Sequence, residues 1–314
     1  MTTHLVWLRN DLRVTDNQAL YAACRDPQAT VMAVFIATPQ QWRQHHMAAR
    51  QAAFIHATLR QLQQALAQRG IPLVTQQCDD FAAAVDWLAD FCQASHVDAL
   101  FYNRQYELNE RRRDRQLEQR LNGMVNCQAF DDSLLLPPGS VLSGNGEMYK
   151  MYTPFRRAFL ARLAESDIAS LPAPAQRSCG QWQAITPPAP FDYPAAELDD
   201  GFPAGEEAAL RRLRHFCRQQ VQDYHHQRDI PAVDGTSVLS PYFGGRRAVT
   251  TAMCQSAACR MSRYAGQSAR RCFLLVERAD LARILPSFAG GESGVVPPPS
   301  LYCLDRPGTL EPGG

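Results

Sequence analysis

At 314 residues the chain is long enough for two domains, because a single hydrophobic core rarely grows past about 250 residues. With 46% hydrophobic and 20% charged residues its composition is that of an ordinary globular protein, and a net charge of +1 implies no strong general attraction to nucleic acid, so any DNA contact has to be local. No stretch approaches the roughly 18 apolar residues that span a bilayer, and charge follows at once on the short apolar run of MTTHLVWLRNDLR, so the chain reads as cytosolic.

Between residues 1 and 131 five short apolar runs, HLVWL, VMAVFI, LVTQQC, ALFYN and NCQAF, alternate with segments of helical periodicity. Ile55, Leu59, Leu62 and Leu66 fall on one helical face, as do Phe81, Val85, Leu88 and Cys92, and Gly70 and Pro72 close the first of these helices. The alternation predicts an α/β domain with a doubly wound, parallel, five-stranded sheet. From 132 to 200 the chain is rich in Pro, Ser and Ala, with one helix near Thr153 to Ala164, and reads as a long inter-domain connection. A helical segment from Gly205 to His225, with Leu210, Leu213, Phe216 and Cys217 on one face, opens an incomplete α-helical domain over 201 to 242. Residues 243 to 314 hold nine of the 18 Gly, four of the ten Cys and none of the four Trp, keep neither helical nor strand periodicity, and read as poorly ordered.

The ten cysteines are scattered without a CxxC pair, Cys254 and Cys259 being the nearest neighbours, and read as reduced thiols. His45-His46 and His225-His226 have no partners at metal spacing, and no metal is expected.

Four motifs carry chemistry: WLRNDLRVTDNQAL, FYNRQYELNERRRD, GEMYKMYTPF and YHHQRDIPAVDGTSVLSPY. Taken singly, Arg9, Asp11, Arg13 and Asp16 of the first could form a solvated loop with a helix cap, and NERRRD a solvated helix face. In this order and spacing, over residues 2 to 242, the four resemble the DNA photolyase/cryptochrome family, and most nearly its bacterial members that carry a folate antenna and repair cyclobutane pyrimidine dimers. The second motif lies past the fourth strand, at the carboxyl edge where α/β folds bind ligands. The resemblance implies 5,10-methenyltetrahydrofolate there, with Asn109 and Glu110 hydrogen-bonding its pterin, an amide and a carboxylate suited to an amide and amine edge. It further implies FAD on Tyr224 and on Thr236, Ser237, Val238, Leu239 and Ser240, where the flexible glycine Gly235, three hydroxyls and backbone N–H groups suit a pyrophosphate. Arg228 would face the DNA backbone. The implied protein is a monomer acting on DNA with pyrimidine dimers: excited reduced flavin lends the dimer an electron, the cyclobutane bonds break and the electron returns, with no catalytic acid, base or nucleophile needed from residues 1 to 242.

After Tyr242 the resemblance stops, and FGGRRAVTTAMC stands where the family continues otherwise. Writing Phe243 to Arg247 as TTT GGC GGT CGG CGC and reading from the second base gives Leu-Ala-Val-Gly, the family's continuation. Leu275 to Phe288 can be encoded so that the same shift yields Trp-Leu-Asn-Glu-Leu-Ile-Trp-Arg-Glu-Phe, and the segment from Cys303 permits a further family stretch. One extra base near codon 243 accounts for all three. The expectation is then that 243 to 314 is out-of-frame translation and that the product neither holds flavin tightly nor repairs DNA. A cryptochrome-like blue-light photoreceptor without repair activity is the alternative, and a stand-alone nucleotide-binding α/β module would leave GTSVLSPY unexplained.

Overall fold

A computed structural model of the chain describes residues 2–166, 170–178 and 186–245. The expected out-of-frame segment therefore lies, from residue 246 onward, outside the described residues.

Strands β1 (Thr3–Leu8), β2 (Thr30–Ala37), β3 (Leu73–Gln77), β4 (Ala99–Asn103) and β5 (Asn126–Phe130) coincide with the five apolar runs. All neighbours pair in parallel, in the order β3-β2-β1-β4-β5. Helices α1 (Gln18–Ala23), α2 (Pro39–Gln44), α3 (Ala49–Ala67), α4 (Phe81–Ala94) and α5 (Leu108–Leu121) provide the crossovers. The near-continuous apolar character of β1, β2 and β4 follows from helices covering both faces. Because successive side chains point to opposite faces, the strands divide their residues between two cores. Val6, Leu8, Val31, Ala33, Phe35 and Phe101 pack with Leu59, Leu62 and Leu66 of α3, whereas Leu5, Trp7, Met32, Val34, Leu100 and Tyr102 pack with Val85, Leu88 and Cys92 of α4 and Leu117 and Leu121 of α5. Ile55 and Phe81, expected on the same faces, are only half-buried.

Among its described residues the connection contains one helix, α6 (Tyr152–Ala164), and those from 170 onward lie along the α/β domain. Leu171 exchanges bonds with Asp16, the Arg177 guanidinium donates to the carbonyls of Cys24 (2.7 Å) and Ala29 (3.0 Å), and Phe191 packs its ring against Trp42. Beyond it come α7 (Glu206–His215), a π-type turn over Phe216–Gln220, the short α8 (Tyr224–Gln227) and a 3-10 turn over Ser240–Gly245. Leu213 and Phe216 are buried as the periodicity predicts, while Leu210 and Cys217 are half-buried, and the small Ala208 and Ala209 complete the buried face. No helix among the described residues is long and apolar enough to cross a membrane.

Candidate functional site

The strand order reverses between β1 and β4, and the segment that follows β1 enters that switch point. Arg9, Asp11, Arg13 and Asp16 are 7%, 7%, 4% and 0% exposed, so the solvated-loop reading of this segment is wrong. The cap reading survives in a shifted form, since it is Asn17 whose side chain accepts from the Leu20 N–H. Asp11 accepts from the Arg9 amide (2.8 Å) and from the side chain of Asn103 (2.6 Å), and Asn103 also donates to Asn17 (2.9 Å), which ties the ends of β1 and β4 to the start of α1. Arg13 reaches both the Asp16 carbonyl and the carboxylate of Asp132 beyond β5. The crevice where an α/β fold most often places a ligand is thus filled by the chain's own polar groups.

A second layer of charge lies beside it. The Asp114 carboxylate accepts from Arg9 (2.9 Å) and twice from Arg113 (3.0 and 2.7 Å), and both guanidiniums stack 4.6 Å from the Trp7 ring. Burial, followed by the neighbouring Arg9 cation, lowers the Arg113 pKa to about 10, and Asp114 opposes the shift. The pair shares one carboxylate because aromatic faces supply part of what water would supply to each cation.

Above this floor opens a cavity of about 970 Å³, within the range of sites that take a cofactor-sized molecule. One wall comes from the α/β domain: Arg9, Asn10, Leu12 and Arg13, Phe35 and Thr38 at the end of β2, Trp42 and His45 on and after α2, Ile55 on α3 and Glu110 and Arg113 on α5. The facing wall comes from Gly205, Glu206, Ala209 and Leu210 of the helical segment and from Ser240 to Tyr242. Glu110 is half-buried; burial first, and Glu107 with it, raises its pKa, against the pull of Arg113 and His45.

The residues expected from sequence are distributed unevenly around this cavity. Glu110 lines it, whereas Asn109, one position earlier on the same helical turn, is exposed and does not. NERRRD is accordingly no uniform solvated face: Arg112 is exposed while Arg113 and Asp114 are buried. Of the residues expected to hold flavin, Ser240 alone lines the cavity. Leu239 is 1% exposed and packs with Ala208, Ala209, Leu213 and Tyr242, and the Tyr224 ring, 4% exposed, meets Phe216 edge-on at 5.8 Å. Thr236, Ser237 and Val238 are half-buried, and Val238 adopts the left-handed conformation at φ 47°. Gly235, read as a flexible glycine, is buried against α8, where a Cβ would come within 2.4 Å of the Gln227 Cβ; close approach is what requires glycine there. Arg228 pairs with Asp229 at 3.2 Å.

Trp42 and Glu206, which no apolar period singles out, also line the cavity, as does His45. Trp42 lies in PQQWRQHH, a short helix without an apolar period to mark it. Glu206 belongs to an ordinary acidic first turn, and only its long-range partners distinguish it.

The DNA photolyase family description matches residues 4–175, more than half of the chain. The chain belongs to the DNA photolyase family. It is 50% identical over 241 residues to the deoxyribodipyrimidine photo-lyase of Escherichia coli (strain K12), a match that covers 76% of this chain and 51% of that protein. It is 49% identical to the corresponding photo-lyase of Salmonella typhimurium, with the same coverage. Among solved structures, a bacterial class III photolyase from Agrobacterium tumefaciens superimposes with a TM-score of 0.71 at 26% identity, over 92% of this chain and 59% of that one. This photolyase chain therefore spans about half the length of the curated relatives it matches.

Proposed function

We propose that the chain is the light-gathering half of a deoxyribodipyrimidine photolyase, and that its cavity takes 5,10-methenyltetrahydrofolate. The observation that carries this reading is the half-buried Glu110 carboxylate lining a cavity that also presents the Trp42 and Phe35 rings. The volume, the aromatic faces and a carboxylate acceptor suit a flat pterin with N–H donors on one edge. Glu110 would accept from that edge. Asn109 would join only after its side chain turned inward, so Glu110 is assigned the larger share of binding. When bound, the folate absorbs light and passes the excitation on; the chain's part is to orient it and exclude water.

The expected flavin residues fit less well. Leu239 and Tyr224 are committed to packing, Thr236, Ser237 and Val238 are half-buried without lining the cavity, and Ser240 is the one of the set that does line it. Family repair chemistry on DNA with pyrimidine dimers, with Arg228 toward its phosphates, belongs in this proposal to a chain whose frame continues past Tyr242. Sequencing the source DNA across codons 238 to 248 tests the frameshift. An extra base there predicts a protein that neither retains flavin nor splits dimers; its absence predicts a full-length enzyme. The folate assignment is tested by titrating the purified chain with 5,10-methenyltetrahydrofolate and following its absorption band. Saturable binding that E110Q weakens about tenfold or more supports it, the loss expected for a charged hydrogen bond, and binding that E110Q leaves unchanged refutes it. Dimer splitting by a frame-restored protein separates the repair reading from the cryptochrome-like one.

A further inference from the structure

Residues 203 to 206 are the place where three parts of the molecule converge. The two carboxylate oxygens of Glu206 accept from successive backbone amides of the segment after β1, Val14 at 2.9 Å and Thr15 at 3.1 Å. That segment is itself held rigidly, through Arg13 to Asp132 and through Asn17 to Asp11. Immediately before Glu206, the Ala204 carbonyl accepts from the Gln61 side chain of α3 (3.0 Å), and the Pro203 carbonyl accepts from the Tyr242 hydroxyl (2.9 Å). Gly205 has φ 95°, a conformation that residues with a side chain rarely adopt, and a Cβ there would also push the Gln61 carboxamide aside, so the clasp favours glycine at this position.

We infer that Glu206 is a positioning residue: its carboxylate clasps the start of α7 to the segment after β1 and thereby sets the spacing between the two walls of the cavity. Residues next to both clasped points line that cavity, Arg9, Asn10, Leu12 and Arg13 on one side and Gly205, Glu206, Ala209 and Leu210 on the other. A carboxylate shared by two consecutive N–H groups is a strong, directional contact. Its place in the first turn of α7 adds the favourable field of the helix N-terminus. The clasp also reaches the Ser240–Tyr242 turn, because Ala208, Ala209 and Leu213 of α7 pack against Leu239 and Tyr242. Loosening Glu206 therefore frees one cavity wall as a unit while the parallel sheet stays intact.

The test is amide hydrogen exchange on the full chain, comparing wild type with E206Q and E206A, together with 5,10-methenyltetrahydrofolate titration. Val14 and Thr15 lose their acceptor in E206A, so their exchange should quicken about tenfold or more, the loss of a charged hydrogen bond. Exchange in residues 206 to 213 and 239 to 242 should rise with it, while β1, β2 and β4 keep their protection. The isosteric E206Q, which keeps the shape but can accept at only one oxygen, should fall between. Unchanged exchange at Val14 and Thr15 in both variants overturns the clasp. So does a rise confined to those two amides with α7 unaffected. Should E206A lose protection throughout, E206Q decides by the same criteria. The expected weakening of folate binding in E206A rests on the folate reading above; a wild-type chain that binds no folate defeats that reading and leaves the exchange result to judge the clasp alone.

Discussion

Glu110, the carboxylate proposed to hold the folate, is one that the empty fold keeps ionised at a cost. Its pKa is raised because burial penalises the ionised form. Between the ordinary glutamate value of about 4.3 and the raised folded value, the native state binds more protons than the unfolded one, so stability falls as pH rises through that window. E110Q removes the penalty. The variant should melt slightly above wild type at pH 7, and the two should converge below about pH 4, even though the proposed folate site predicts weaker binding to E110Q. Thermal melts at both pH values check this. Asp114 is the opposite case, a carboxylate the fold cannot do without: D114A leaves the Arg9 and Arg113 cations buried over Trp7 with no shared counter-charge. Breaking a buried pair in this way costs about 3–5 kcal/mol, and urea unfolding of D114A should show a loss of that size.

At the scale of elements, the helices are held by different means. Helix α4 begins at Asp80, whose carboxylate accepts from the Ala83 amide at 2.9 Å. D80A should lower stability by about 1 kcal/mol, as loss of an N-cap does, measurable as a shift in urea midpoint without a change in slope. Helix α3 has no side-chain cap and is held by Leu59, Leu62 and Leu66 against the sheet. These elements were legible in the sequence because each carries its own period: apolar side chains every three or four residues predict α3 and α4, and continuous runs predict β1, β2 and β4. The helical segment was less legible. Glycine in GTSVLSPY suggested flexibility, but its packing against Gln227 involves a residue eight positions away, across a turn, which periodicity does not register.

Across the whole molecule, residues 170–178 strap the connection to the α/β domain. The Arg177 guanidinium donates to the carbonyls of Cys24, Ala29 and, at 3.5 Å, Asp26, at the turn between α1 and β2. R177A removes all three bonds and should destabilise the chain by about 1.5–3 kcal/mol, the range for hydrogen bonds to a charged group. R177K should recover only part of that, since an ammonium cannot reproduce the fork. The composition of the connection, rich in Pro, Ser and Ala, concealed this attachment, because the bonds run to residues about 150 positions earlier.

The sequence by itself determined the sheet, its flanking helices and the family to which the chain belongs, since strand and helix periods are local and the four motifs are contiguous. Only the tertiary structure decided which polar residues are buried and which face the cavity. Arg9 meets Asp114 across 105 positions and Glu206 meets Val14 across 192. On α5, Asn109 and Glu110 differ by a single step of rotation, which turns one to solvent and the other into the cavity. Contacts of that span leave no pattern in a window of neighbouring residues; they exist once parallel strands have brought their carboxyl ends together.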